Sequence, residues 1–321
     1  MDSCNPTILK KAASRISNGS AADVYGWTGD LIQHLLYNKE CERLLNKLIT
    51  AILNGGINDE ARDWLLASWL IALDKGEGRV RPIAGGSILI KLASTYLLLT
   101  ATNQAKALFS TSGLQCGVFT RDGTTTAAKI TQLALELDPN NIALKVDFQN
   151  AFNSLRREAL FEALFNTDEL ASFWRMAHWA YKGVSHLWVK GKDGTIVDVV
   201  ESKEGVRQGC TLGSLLFAAA SLGFLSKVKQ SSKDIEVAAF LDDVCIVGAQ
   251  QPVIEAFRTL SQEAKVCGLE VQRDKCVVLL PTEESVDWHL QRGDASAWHG
   301  RWARPEPDGE LGETRDRAVV E

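Results

Sequence analysis

No apolar run in these 321 residues reaches the roughly 20 needed to cross a bilayer. The longest, Ile88 to Leu99, is broken by Lys91, Ser94 and Thr95, so no transmembrane segment is expected. The N-terminus, Met1-Asp-Ser-Cys-Asn-Pro6, lacks the charged start and apolar stretch of a secretory signal. Its seven cysteines (Cys4, Cys41, Cys116, Cys210, Cys245, Cys267 and Cys276) are therefore expected as thiols in an intracellular, soluble chain. They form no C-x-x-C pair, and no His stands at zinc-ligand spacing, which argues against a zinc site. An excess of basic residues is missing too: 35 Lys and Arg face 40 Asp and Glu, for a net charge of −5. Such a balance argues at first against a nucleic-acid partner. Its distribution weakens the objection, because ten acidic and only five basic residues fall between Pro281 and Glu321, leaving thirty of each in the body. A neutral body with a few placed cations can hold a duplex weakly, with strong salt sensitivity.

Up to residue 280 the chain contains neither an internal repeat nor a flexible linker, so it is expected to form one continuous α-plus-β unit. The first seventy residues read as helices, with Leu31, Ile32, Leu35 and Leu36 followed by Leu44, Leu45, Leu48, Ile49 and Ile52 at helical spacing. Trp69 to Leu73 and Val80 to Ile83 flank a glycine-rich turn and predict a hairpin. Ser87 is placed to cap a long apolar helix toward Phe109, and Thr124 to Thr126 to cap another through Leu137. Ile142 to Val146 is a short strand ending in Asp147, followed by a helix starting at Asn153 or Ser154. Trp188 to Val200 predicts a second hairpin, turned at Asp193-Gly194. A helix from about Ser214 to Lys229 then precedes two apolar strands, Glu236 to Phe240 and Val244 to Gly248, which enclose Leu241-Asp-Asp243, and a helix from Pro252 to about Val266 follows. From Gln291 to Glu321 no period is found, and disorder is expected.

Carboxylates at the edges of adjacent strands are costly unless a proton or cation compensates them. Asp147, Asp242 and Asp243, if they converge, suit a hard divalent ion such as magnesium, which takes oxygen ligands and shares them with substrate phosphates. Two such ions about 3.5–4 Å apart clamp the attacking and leaving oxygens of an in-line phosphoryl displacement. Taken alone, an Asp-Asp pair is more often a polar turn; here its surroundings decide.

Those surroundings occur in a particular order. Asp147-Phe-Gln-Asn-Ala-Phe-Asn153, Arg207-Gln-Gly-Cys-Thr-Leu-Gly-Ser-Leu-Leu-Phe217, Phe240-Leu-Asp-Asp243 and Gly268-Leu-Glu-Val-Gln-Arg-Asp-Lys-Cys276 resemble the successive palm motifs of the reverse transcriptase family. Lys75-Gly-Glu-Gly-Arg-Val-Arg-Pro-Ile83 resembles its fingers hairpin. The resemblance covers roughly residues 65 to 280 and is greatest to enzymes of retrotransposons without long terminal repeats; domesticated and group II intron-type relatives are the alternatives. It implies an α+β right-hand polymerase fold of fingers and palm, with an antiparallel palm sheet. The domains would be an N-terminal helical extension (1–64), a fingers and palm domain (65–280, with its palm core at about 142–153 and 204–280) and an acidic tail (281–321).

The resemblance also assigns roles. Asp147 and Asp242 would ligate two Mg2+ ions, with Mn2+ as a substitute; Asp243 would be a supporting carboxylate, and the Phe148 backbone carbonyl a further ligand. Lys275 would protonate departing pyrophosphate. Lys75 and Arg81 would contact the triphosphate of the incoming deoxynucleotide, and Gln208 and Gly209 would line its pocket. Phe152 would lie under the sugar and exclude a 2′-hydroxyl; its alternative is a core position. The implied activity is a nucleotidyltransferase, an RNA-directed DNA polymerase with an RNA template, a DNA primer and deoxynucleoside triphosphates as partners, acting in the nucleus. Two departures stand out: Gly213-Ser214 replaces the usual Ser-Pro, and no primer-grip hairpin or helical thumb is recognisable after the fourth motif. A truncated or inactive polymerase-like nucleic-acid-binding or scaffold protein is therefore the alternative, and an RNA-copying RNA polymerase is disfavoured by Phe152 and the Phe-Leu-Asp-Asp form.

Overall fold

The structure, a computed structural model, describes residues 3–74, 76, 78, 80–191 and 193–279. The tail expected at 281–321 lies outside the described residues. In chain order the elements are α1 (Pro6–Ser14), α2 (Gly29–Leu35), α3 (Lys39–Leu53), α4 (Asp59–Leu66), β1 (Ser68–Asp74), β2 (Val80–Gly86), α5 (Ile88–Ser112), α6 (Gly123–Leu137), β3 (Ile142–Val146), α7 (Ala151–Ser154), α8 (Arg157–Phe165), α9 (Ala171–Tyr181), β4 (Ser185–Lys190), β5 (Ile196–Ser202), α10 (Gly213–Ser231), β6 (Ile235–Phe240), β7 (Asp243–Gly248), α11 (Gln250–Val266) and β8 (Val277–Leu279). Among the described residues, no helix is long and apolar enough to cross a membrane. The chain divides into two compact units, one of residues 1–108 and 155–220, the other of 109–154 and 221–321.

In the first unit, the side chains of Asn5, Thr28, Asn38 and Asn58 each accept hydrogen bonds from free amides at the starts of α1 to α4. Buried Leu45, Ile49 and Ile52 form the inward stripe of α3. The expected hairpin is formed by β1 and β2, paired from Ser68↔Gly86 to Asp74↔Val80. The second, β4 with β5, turns at Gly194, whose φ of +88° suits a residue without a Cβ. Not foreseen is the parallel pairing of β1 with β4, which merges both hairpins into one sheet ordered β2-β1-β4-β5. Pairing across more than a hundred residues leaves no local trace in either strand.

Among the described residues of this unit three arginines are buried: Arg62, Arg157 and Arg207, exposed by 3, 5 and 8%. Arg157 donates to the backbone carbonyls of Tyr181, Gly183, Ser202, Glu204 and Gly205 and to the Ser202 hydroxyl, with no side-chain carboxylate among these acceptors. Burial, with Arg207 nearby, pulls its pKa down to about 10. Arg207 donates to the Leu66 carbonyl and the Ser185 hydroxyl. The two guanidiniums lie 5.3 and 4.9 Å from the Tyr181 ring, within cation–π range. Arg157 thus gathers the carbonyls of the segment that leads into Gln208.

In the second unit the sheet order is β6-β7-β3-β8, antiparallel throughout. Strand β8 was not anticipated, and it pairs with β3 from Ala143↔Leu279 to Lys145↔Val277. Helices α6 and α11 pack on this sheet, with Ala134, Ala143 and Val247 at the centre of one buried cluster. Two expected helix starts are corrected. Helix α6 begins at Gly123, behind Asp122 at φ +50°, with no side-chain cap, and Thr124 to Thr126 lie inside its first turn. A Cβ on Gly123 would fall 1.9 Å from the Cys116 carbonyl oxygen, so a close tertiary approach and not a hydroxyl sets this start. The helix expected from Asn153 or Ser154 is two, α7 and α8, separated by extended Arg156.

Replacing Arg157 by Met removes every donor while keeping a flexible apolar stem. Each buried carbonyl left unpaired costs about 1–3 kcal/mol. Chemical denaturation should therefore show a loss of at least ~3 kcal/mol; a loss within ~0.5 kcal/mol, as for an ordinary surface change, would contradict the organising role.

Candidate active site

The register of β3 against β7 runs from Ile142↔Gly248 to Val146↔Val244. Continued by one pair, it places Asp147 opposite Asp243. Strand β7 is joined to β6 by a two-residue turn closed by Phe240↔Asp243, so Leu241 and Asp242 form the turn itself. Leu241 has φ +57°, a left-handed conformation in which a branched side chain is strained. Asp242 is half-buried, whereas Asp243 is exposed and its Oδ1 lies 3.0 Å from the Lys145 ammonium.

Beyond Asp147 the backbone is tied to the segment after α11. The Gln272 amide donates to the Asp147 carbonyl at 2.9 Å and the Gln149 amide to the Glu270 carbonyl at 2.8 Å. This isolated bridge, Phe148↔Val271, does not use the Phe148 carbonyl. The Phe148 ring is buried and meets Phe224 edge-on at 6.2 Å. The same tie brings in a short 3-10 turn, Arg273–Lys275, in which the Lys275 ammonium donates to the Gln272 side-chain oxygen at 2.8 Å. Phe152 lies half-buried in α7.

Burial is the main cause that raises the Asp147 pKa; Asp243 and Asp274 add to it, and Lys275 and Lys145 oppose it. Burial works to lower the Lys145 pKa, but the hydrogen bond and charge of Asp243, with smaller contributions from Cys245 and Asp147, hold it above the ordinary value. Among the described residues, no group of three or more His, Cys, Asp or Glu side chains is arranged so that it could hold a metal ion by itself. Asp243 has Lys145 as its ion-pair partner on the sheet. In donor chemistry the remaining carboxylates, Asp147 and Asp242, fit a hard divalent cation, whose charge would offset the desolvation at Asp147.

The other expected residues belong to the first unit. Arg81 is exposed on β2, opposite Leu73. Gln208 is half-buried, and its carbonyl accepts from the Ala84 amide at 2.7 Å. Gly209 has φ +103°, and a Cβ there would meet the Ala84 carbonyl oxygen at 2.5 Å, so only glycine fits. It borders a cavity of about 240 Å³ that Ser87, Lys91, Arg207 and Thr211 also line. Lys75 lies outside the described residues.

The profile of the family described as "Reverse transcriptase (RNA-dependent DNA polymerase)" matches residues 73–297. The chain belongs to the reverse transcriptases. A curated relative, the retrotransposable element SLACS 132 kDa protein of Trypanosoma brucei gambiense, is 26% identical over 272 residues, which are 85% of this chain and 22% of that protein. This reverse transcriptase chain thus spans about a fifth of its relative's length. Among solved structures, telomerase from Candida albicans in complex with the TWJ fragment of telomeric RNA aligns with a TM-score of 0.53 at 14% identity, covering 72% of this chain and 44% of that one. Apo telomerase from Candida tropicalis, truncated from its C-terminal domain, aligns at 0.52 and 16% identity, over 67% of this chain and 50% of that one. At such identities these two likenesses speak to the fold alone.

Sequence reasoning passed over Lys145, Gln115 and Arg157. Lys145 did carry a signal, as the one charge within an apolar strand. Gln115 and Arg157 carried none, since their partners are remote in sequence.

A raised Asp147 pKa means that the folded state holds this proton more tightly than the unfolded chain does. Its charge therefore costs stability increasingly as pH rises from the ordinary carboxylate value, about 4, through the raised one. In metal-free buffer, Asp147→Asn should match wild type in Tm at low pH and exceed it near neutrality. Added Mg2+ should narrow the gap by stabilising wild type alone. A variant less stable than wild type at neutral pH would contradict this account.

Proposed function

We propose that this chain is the catalytic core of a retrotransposon reverse transcriptase, an RNA-directed DNA polymerase that extends a DNA primer on an RNA template. The observation that carries the reading is the antiparallel sheet that sets desolvated Asp147 at the end of β3, beside the turn bearing Asp242, in a chain of this family. In the reaction the primer 3′-hydroxyl gives up its proton to solvent as its oxygen attacks the α-phosphorus of a deoxynucleoside triphosphate; that P–O bond forms, the bond from the α-phosphorus to the oxygen bridging it to the β-phosphate breaks, and pyrophosphate leaves. Two magnesium ions, held on Asp147, Asp242 and the Phe148 carbonyl, would supply Lewis acidity to the attacking and leaving oxygens. Asp243, engaged by Lys145, has a supporting role, while Lys275 is the general acid that protonates pyrophosphate.

Arg81, with Lys75, is assigned to the triphosphate, and Gln208 and Gly209 to the nucleotide pocket; the glycine-only backbone at 209 supports a close approach there. Phe152 is the residue that excludes a 2′-hydroxyl. The antiparallel sheet of the second unit is read as the palm and the β1–β2 hairpin as part of the fingers, preceded by the helical extension of 1–64; residues 280–321, in which no thumb is recognisable from the sequence, lie outside the described residues. Work on chromosomal DNA in the nucleus follows from the retrotransposon reading. One observation favours the second reading, a non-catalytic nucleic-acid-binding or scaffold protein: Asp243 is engaged in an ion pair with Lys145 at 3.0 Å.

Primer extension by residues 1 to 321 on an RNA template with Mg2+ and deoxynucleotides, beside Asp242→Ala, separates the two. Extension in wild type and a loss of at least ~100-fold in the variant are expected. Phe152→Ala should admit ribonucleotides while retaining deoxynucleotide extension. Primer-template binding without extension by wild type would favour the scaffold reading.

A further inference from the structure

The turn that carries Asp242 is held by a residue more than a hundred positions away. Gln115 is 2% exposed, and its side-chain amide is fully used. Its Nε2 donates to the Leu241 carbonyl at 3.1 Å and to the Ser221 hydroxyl at 3.1 Å. Its Oε1 accepts from the Leu241 amide at 2.6 Å and from the Gly117 amide at 3.1 Å. The backbone beside it is stitched to β6: the Cys116 amide donates to the Ala239 carbonyl at 2.6 Å, and the Ala239 amide to the Leu114 carbonyl at 2.8 Å. Gly117 presses on the same residue, because a Cβ there would lie 2.6 Å from Leu241 Cγ and 2.7 Å from its backbone nitrogen.

Leu241 needs this support. Glycine is the residue that adopts a left-handed φ at the first central position of a two-residue hairpin without cost, and Leu241 stands there at φ +57°. Both of its backbone polar groups are bound by one buried amide, as the next strand of a sheet would bind them. Fixing the amide and the carbonyl of Leu241 fixes the peptide plane entering Asp242, and with it the place of the Asp242 Cα at the turn.

We infer that Gln115 is a positioning residue that holds the Leu241-Asp242 turn in the conformation that lets Asp242 serve as a metal ligand. The inference rests on the polymerase reading, since it needs Asp242 to bind a cation. A merely structural Gln115 would change Tm and leave the metal affinity of the folded protein alone.

The test is Mn2+ binding to the full chain, followed by the electron paramagnetic resonance signal of free Mn2+, with Tm recorded alongside. Gln115→Met keeps the volume and removes all four hydrogen bonds. Folded Q115M should bind Mn2+ about 10-fold more weakly, the loss typical of removing an outer-shell partner, and its Mg2+ requirement in primer extension should rise in parallel. If Q115M does not fold, Gly117→Ala takes its place, because the added Cβ displaces Leu241 while leaving the Gln115 amide intact. Unchanged Mn2+ affinity in the folded variant, with Asp242→Ala impaired, would overturn the role of Gln115 alone. If Asp242→Ala binds Mn2+ as wild type does, the metal site itself falls, and this inference with it.

Discussion

The register of β3 against β7 determines which side chains can meet at the candidate site. With Val146 opposite Val244, the residue after β3 faces the first residue of β7. Lys145 is paired with Cys245, so on one side of the sheet Lys145 and Asp147 from β3 neighbour Cys245 and Asp243 from β7. A slip of one residue would send the carboxylates to the other face and bring buried Leu144, Val146, Val244 and Ile246 out in their place. The hydrophobic pattern that forms the sheet is thus also what aligns the acids.

Electrostatics on that face are a matter of neighbours. Like charges directly opposite each other in antiparallel strands repel, and Asp147 faces Asp243 in that relation. Lys145 sits diagonal to Asp243, within reach of a long side chain, and neutralises it at 3.0 Å. Asp147 is left with burial as its dominant influence, and two lysines oppose without cancelling it. Of the three acids, then, the sheet satisfies one and leaves another costly. A group that is costly when unaccompanied is one for which a cation has most to gain by binding.

Strands β1 to β7, both hairpins and most helices of this fold were legible because each is written in local periodicity and in turn residues such as Asp193-Gly194. The order of motifs from Asp147 to Cys276 identified the family before any geometry. What escaped was long-range. The parallel pairing of β1 with β4, the addition of β8 to β3, and the start of α6 at Gly123 are set by tertiary approach and leave no pattern in the segments themselves. At the site, residue types announced the carboxylates but not that Lys145 would claim Asp243, because that depends on a register formed across about a hundred residues.

The turn at Leu241 shows why that gap falls where it does. A glycine at 241 would have made the turn readable from sequence, and its conformation would then have been a local property, with the mobility that glycine brings. Leucine makes the same conformation unfavourable in isolation, so the turn persists only where Gln115 and the backbone beside it impose it. Geometry enforced by buried contacts is stiffer than geometry permitted by a flexible residue, and a ligand set on a stiff turn loses less entropy when a cation binds. The feature least visible in the sequence is therefore the one that holds the backbone leading into Asp242.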